Sequence, residues 1–559
     1  MGSLIAKKIN GGVYYYLREV ARVNGRPKIV STRYIGKAED IAAMLDGATQ
    51  VPERTQVLEF GGVAAVWKMI ERLGVVETID RVVGARRSDA QATVGTYLAL
   101  AAINRVVSPC SKLAFREWWL TTVGPRLVKI PNTALDHRRF WDAMNQVTDE
   151  HLVAIERELT QRMVTDFGVD LSALVLDMTN FATFIDSGNE RNTIAKRGHA
   201  KDGRVDLRLV GLALVVSKDG GIPLLHQSYP GNRPDVSQFQ SVIGELISRY
   251  QALSEQVEDV TVVYDAGNCS LANQGLLDES GLGYVSSLVT AHHTDLLAIP
   301  RSKFTAVEGF AGLEAHETTA TALGATRRAI ITHSDEFHQK QVRGFAQTIA
   351  KCLRQLTELQ QVLERGKTRR SRAQIEAAIT VILKPRWAKR VIVTELTGQQ
   401  PKDLRLNFSI DEQAMQQLET EHFGKRILVT SHNEWSIAQV VAAYRSQTEV
   451  EASFRQMKDP RVVSFSPMFH WTDQKVKVHV FYCVLALAIA QLMRREAERA
   501  GIKMSVRELL ATLATIKETS LIYPSTGGRP KVRKMLTELN GEAKDLFELF
   551  GLNSFAPPS

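Results

Sequence analysis

Two runs of buried-strand character end in a carboxylate. LVLD (174–177) places Asp177 and VVYD (262–265) places Asp265, each followed at once by loop-forming residues, MTN and AGN. In an open α/β sheet the strand ends border one crevice, so two such aspartates can point into a single small volume. Like charges that close repel, and a hard divalent cation relieves the repulsion. Mg²⁺, held by few carboxylates plus substrate phosphate, is the occupant this chemistry expects. The alternative is that each aspartate only caps the turn after it.

A third carboxylate lies in the helix-patterned segment YRSQTEVEASFRQMK (444–458). Tyr444, Glu451 and Lys458 are seven residues apart. Two helical turns bring each to within roughly 20° of the last, so one stripe carries a phenol, a carboxylate and an ammonium. Glu451 also has Arg455 four residues on, the spacing of an ordinary surface ion pair.

The elements that must position these groups are spread over 559 residues, enough for three or four domains, with 44% hydrophobic and 23% charged residues. That composition excludes disorder as the main state. Lys+Arg 70 against Asp+Glu 61 leaves a net charge of +9, which favours a polyanionic partner. Cys110, Cys269, Cys352 and Cys483 stand singly, so neither a disulfide framework nor a zinc ribbon is specified, and a reducing, cytoplasmic setting is expected. The start, MGSLIAKKINGG, lacks the apolar stretch of a signal peptide. The greasiest run, Val478 to Met493, is shorter than a bilayer span, so no membrane is expected.

Along the chain, 1–56 reads as a basic β-ribbon around Asn24-Gly25, with Arg18, Arg22, Arg26, Lys28 and Arg33 on or beside it. Residues 57–167 read as a helical domain. Its Arg86, Arg87, Arg116, Arg126, Arg138 and Arg139 could line a DNA face or simply a solvated surface. From 168 to 290, β-branched strands with one intervening helix predict a mixed α/β sheet. Residues 291–430 break that pattern and read as an insertion. Inside it, Glu364 to Arg390 holds nine basic residues against two acidic ones, with Trp387 among them, a composition suited to nucleic acid or to a solvated face. Residues 431–500 are helical and carry Glu451, and 501–559 read as a helical C-terminal region.

LVLDMTNF, VVYDAGN and YRSQTEVEASFRQMK together resemble the DDE transposases of bacterial insertion sequences, in the branch with a Y-x2-R-x3-E-x6-K signature. KRGHAKDGRVDLRLVGLALVVSKDGGIPLLHQSYPGNRPDVSQF (196–239) and HWTDQKVKVHVFYCVLALAI (470–489) are similar to the family's segments after the first aspartate and behind the active site. The resemblance spans roughly 170 to 490. It implies an α/β fold with a ribonuclease-H-like core interrupted by a mixed α/β insertion, beside an N-terminal β-ribbon and a helical DNA-binding region. Asp177, Asp265 and Glu451 then hold two Mg²⁺ ions, for which Mn²⁺ can substitute. Tyr444 and Lys458 contact terminal phosphates, and Trp387 stacks an extruded base. The signature arginine is replaced by Gln447, with Arg445 and Arg455 as the nearest candidates for its role. The implied partners are double-stranded DNA, as terminal inverted repeats and target, and a second copy of the chain on that DNA. The implied setting is the bacterial, nucleoid-associated cytoplasm.

Two other readings remain open. One is a sequence-specific DNA-binding protein with a degenerate core. The other is a nucleotide-binding α/β enzyme, but Gly281-Leu-Gly283 begins a G-x-G-x-x-G that ends at Ser286, and no P-loop occurs. His292, His293 and Asp295 read as a solvated loop before a metal set, and His479 as a core histidine before a base.

Overall fold

The computed structural model describes residues 2–23, 26–49, 51–84, 91–186, 188–198, 206–233, 235–253, 260–367, 369–524 and 529–558. The Asn24-Gly25 turn, Arg86, Arg87 and part of the 196–239 phrase lie outside the described residues. The chain divides into two compact units, one of 1–68, 117–129 and 507–559, the other of 69–116 and 130–506.

In the first unit, strands β1 (Gly2–Ile9), β2 (Gly12–Val23) and β3 (Arg26–Gly36) form an antiparallel sheet. Strand alternation sets Tyr34 of β3 between Tyr14 and Tyr16 of β2, with ring centroids 6.1 and 5.3 Å away. Strand β4 (Arg54–Glu59) straddles the expected boundary at 57. It pairs with Lys517–Ile522, which pairs in turn with Val532–Leu536. The C-terminal region is therefore not simply helical. Its two strands find their third partner more than four hundred residues away, and no local period can show such a pairing.

The second unit is built on one large mixed sheet. Its strands are β5 (Ala173–Thr183), β6 (Lys196–Arg197), β7 (Arg208–Ser217), β8 (Pro223–Pro230), β9 (Thr261–Tyr264), β10 (Gly283–Ser287), β11 (Thr305–Ala306), β12 (Leu313–Ala322) and β13 (Ala325–Ser334). The chain then leaves through a 30-residue helix (Asp335–Glu364), a second helix (Arg372–Ile382), the hairpin β14 (Ile392–Thr397) and β15 (Arg405–Ile410), and a helix at Glu412–His422. It returns as β16 (Lys425–Thr430). The order across the sheet is β11-β12-β13-β16-β10-β9-β5-β7-β6, with β8 also on β7. Strands β5, β7 and β8 are antiparallel neighbours, and β9 and β10 run parallel to β5. The near-continuous apolar run of β7 is what a strand covered on both faces requires.

This arrangement corrects the insertion boundaries. Strands β12, β13 and β16 fall inside 291–430, yet they extend the same sheet, with β16 seated between β13 and β10. The part with an apolar core of its own runs only through the excursion from β13 to β16, where Phe345, Cys352, Leu356, Ile375, Leu404 and Leu418 are buried together. GKRILVTS and KRVIVTEL look alike locally, and only non-local pairing separates a sheet strand from a subdomain strand.

One buried cation ties the sheet to the helix at Leu271–Ser280. Arg327 of β13 donates to both carboxylate oxygens of Asp278 (3.0 and 2.7 Å), to Tyr284 Oη (2.6 Å) and to the carbonyls of Ala322 and Leu323. The Arg327 hydrogen bond holds the Asp278 carboxyl below its ordinary range. Arg327→Met is expected to cost about 2–3 kcal/mol, less than a fully buried pair because Asp278 is partly solvated. A drop in the urea midpoint at unchanged slope is the readout, and an unaltered midpoint would show that the pair contributes nothing.

The helix Asp473–Arg499 is longer than the apolar run within it. By length and composition it could cross a bilayer, but 94% of its apolar window is buried inside the protein, so it serves as a core helix. Among its residues, His479 is buried, with Nε2 on the Phe465 carbonyl (2.8 Å) and Nδ1 on Tyr482 Oη, as a satisfied core histidine should be.

Candidate active site

The β5–β9 ladder pairs Ala173 with Thr261 and Val175 with Val263 and ends two residues before each aspartate; the same offset, if continued, would set Asp177 opposite Asp265. Parallel neighbours in register share a face and lie about 4.8 Å apart, so on that offset both carboxylates start from adjacent positions on one side of the sheet. Asp265 also caps the short turn that follows it: its Oδ1 accepts from the Ala266 N–H (2.6 Å) and from Ser287 Oγ (3.3 Å). The capping role and the strand-end position thus coexist in one residue. Asp177 accepts from the Met178 N–H at 2.7 Å.

The segment with the seven-residue stripe is two helices. Ile437–Arg445 and Gln447–Lys458 meet at Ser446, which keeps a helical backbone (φ −63°, ψ −10°) while its N–H turns to the carbonyls of Ala442 and Ala443. The stripe survives because the break is slight. At its first end Tyr444 is buried, and its hydroxyl donates to Ser287 Oγ (2.9 Å), the group that reaches Asp265. At its last end Lys458 Nζ donates to Thr179 Oγ1 (3.0 Å), two residues along β5 from Asp177 and so on the same face. Glu451, midway, is exposed and lines a cavity of about 280 Å³ together with Asp265, Tyr444, Gln447 and Trp387. Among the described residues Glu451 forms no ion pair with Arg455, so the surface-pair alternative is not what the structure contains.

Other expected residues divide. Trp387 does reach the cavity, although at φ +66° it adopts a left-handed backbone that a bulky residue seldom takes. Its indole packs near Phe345 and Phe423 and carries the Arg386 guanidinium 4.0 Å above the ring. Arg445 lines an adjoining cavity of about 500 Å³ and lies over Phe310, whereas Arg455 lines neither. His292 and His293 sit at a turn. Among the described residues no three His, Cys, Asp or Glu side chains are gathered closely enough to enclose a cation.

Three contributors were not singled out from the sequence. Ser287 ends β10, the next parallel strand, and the strand-end rule that selected the aspartates points to it as well. Arg426 of β16 reaches Tyr444 Oη (3.3 Å) and lies 4.7 Å over Phe337 and 5.6 Å over Tyr444. It lines both cavities beside Gln447, whose Nε2 is buried without a hydrogen-bond partner. Lys425, with its ammonium on the Leu297 carbonyl (2.6 Å), is desolvated, which lowers its pKa. No sequence period marks cations that arrive on a strand from the far side of an excursion.

Residues 170–487 match the family model described as the transposase DDE domain. That is more than half of the 559 residues. The chain belongs to the transposase DDE domain family. It is accordingly a DNA transposase by family, with DNA as its partner, and divalent metal ions are general to such transposases. No curated protein matches it. A similar solved structure is a cryo-EM structure of the piggyBac transposase synaptic complex with hairpin DNA. The two are 9% identical over 83% of this chain and 82% of that one, with a TM-score of 0.38.

The carboxylates of Asp177, Asp265 and Glu451 are hard oxygen donors, the chemistry Mg²⁺ prefers, and among the described residues they do not form a preformed cage. Burial raises the Tyr444 phenol above its ordinary pKa, so it stays protonated and donates toward Ser287. Tyr444→Phe removes that donor and loosens Asp265 through Ser287. We expect cleavage to slow by roughly tenfold, the worth of one buried hydrogen bond, with a raised Mg²⁺ requirement and unchanged DNA affinity. A weakened affinity with no change in metal requirement would instead mark Tyr444 as a DNA contact.

Proposed function

We propose that this chain is an insertion-sequence transposase that cuts the ends of its element and joins them to target DNA by metal-assisted phosphodiester chemistry. The observation that carries the reading is the β5–β9 ladder, which runs to Val175 opposite Val263 and so directs Asp177 and Asp265 to adjacent strand ends, together with Glu451, which lines a cavity with Asp265 although Asp177 does not. The strand sequence β8-β7-β5-β9-β10, three antiparallel and then two parallel, supports a ribonuclease-H-like core. Asp177, Asp265 and Glu451 would hold divalent cations, which when bound activate a water or 3′-hydroxyl and stabilise the leaving oxygen.

The chain's own groups do the remainder. Arg426, Arg386 and Lys425 give the cavity its positive charge and draw a phosphodiester toward it. Ser287 and Tyr444 hold Asp265 in one rotamer. Lys458 braces the glutamate-bearing helix against β5, and Trp387 offers an indole face to an extruded base. Joining two ends requires two active sites, so a homodimer on DNA fits the reaction, in a bacterial cytoplasm.

The test is incubation of the full chain with duplexes of the inverted repeats that flank its coding DNA, with and without Mg²⁺. Nicked or hairpin products and strand transfer only with metal support the proposal. Gln447 at the signature arginine position favours a second reading, a DNA-binding protein with a degenerate core. It predicts salt-dependent binding to the same duplexes with no metal-dependent product.

A further inference from the structure

Apart from the carboxylates, the second unit contains another concentration of charge. Arg105 is buried and Lys112 is recessed beside it in a cavity of about 290 Å³, near the lower end of small-ligand sites. Lys112 Nζ donates to Tyr482 Oη (2.7 Å) and meets His470 Nε2 at 3.2 Å. Arg105 donates to the Ser466 carbonyl (2.9 Å), to Asn104 Oδ1 (2.8 Å) and to the Cys110 carbonyl. Among the described residues neither cation has a carboxylate partner, and no Asp or Glu lines the cavity. The acid beside it, Asp136, accepts from the Arg138 N–H (2.8 Å) and faces His137 at 3.7 Å. A buried cation without a counter-charge is costly, and the cost is relieved either by loss of its proton or by an anion; Arg105 cannot lose its proton, so for it an anion is the remaining relief. Desolvation, aided by the Arg105 charge, lowers the Lys112 pKa to about 7.

The rim is aromatic and open to solvent. Trp141 is 40% exposed and Phe469 is 55% exposed, and both line the cavity. A cationic floor under exposed planar rings suits a phosphate joined to a flat base. The wall is also continuous with the site above. Lys458 reaches Thr179 of β5, Phe181 of β5 stacks on Phe465 at 4.3 Å, and Phe184 just past the strand meets Phe469 at 5.9 Å.

We propose that this cavity takes one nucleotide of the bound DNA, its phosphate on Lys112 and its base against Trp141 and Phe469. The proposal rests on the transposase reading for its ligand and not on the carboxylate assignments.

The experiment is photocrosslinking of the full chain to the terminal-repeat duplex carrying 5-iododeoxyuridine at one position at a time. The expected result is a crosslink to Trp141 or Phe469 from one or two adjacent positions, abolished in Trp141→Ala/Phe469→Ala. Both residues are exposed, so that variant keeps its fold. Lys112→Met should weaken duplex binding by roughly tenfold and make the log-affinity against log-salt slope shallower by about one. Crosslinks confined to other segments, or an unchanged salt slope, overturn the site while leaving the transposase reading intact. Absence of any DNA binding overturns both. Loss of cleavage with these crosslinks retained supports this site and isolates the fault to the carboxylates.

Discussion

Glu451→Gln is expected to lower end cleavage by on the order of a thousandfold or more while fold and DNA binding remain. The side chain is exposed and, among the described residues, has no hydrogen bond or ion pair to lose, so the substitution should leave stability nearly unchanged. What it removes is negative charge facing the cavity that Asp265 shares. Charge stabilisation by a metal site is worth several kcal/mol, and each 1.4 kcal/mol is tenfold in rate. The measurement is the single-turnover cleavage rate in Mg²⁺ alongside the thermal midpoint. Cutting at close to the unmodified rate would sink the assignment of the third carboxylate. The same test at Asp265 is less clean. Its Oδ1 also caps the Ala266 turn and accepts from Ser287, so a loss there mixes chemistry with local structure.

The second large effect concerns Gln447, which stands where the signature this chain resembles has arginine. Arg426 is held between Phe337 and Tyr444, beside Gln447, whose buried Nε2 has no hydrogen-bond partner among the described residues. A guanidinium lost from a phosphate contact costs about 1.5–3 kcal/mol, so Arg426→Gln should reduce end cleavage and end binding together by roughly ten- to a hundredfold. Gln447→Arg in that background should recover part of the loss, because the new guanidinium enters the same cavity. A double-mutant cycle measures the coupling. Additive effects would mean that the two positions serve different phosphates, and the compensation argument would fail.

The parts of the site legible beforehand share one property: each is marked by a local period. LVLD and VVYD show strand texture closed by an acid, and Tyr444, Glu451 and Lys458 recur every seven residues. The parts that were not legible depend on pairing at a distance. At Ser446, between the two helices, one N–H is shared between the carbonyls of Ala442 and Ala443, a change too small to alter the apolar pattern. Strands β12, β13 and β16 read as insertion texture, because alternation says that a strand has two faces and nothing about which edge it joins. Arg426 is invisible for the same reason: it reaches the cavity only because β16 docks between β13 and β10.

By itself the sequence determined the acidic residue types at the strand ends and the seven-residue stripe, since both follow from strand and helix periods written into the chain. Tertiary structure alone decided that β5 pairs with β9 in the register of Val175 opposite Val263, that Tyr444 points inward to Ser287, that Arg426 stands by Gln447, and that β4 closes a sheet with the C-terminal strands. Those outcomes turn on which distant surfaces bury one another, and a local period records only that a surface must be buried, not against what.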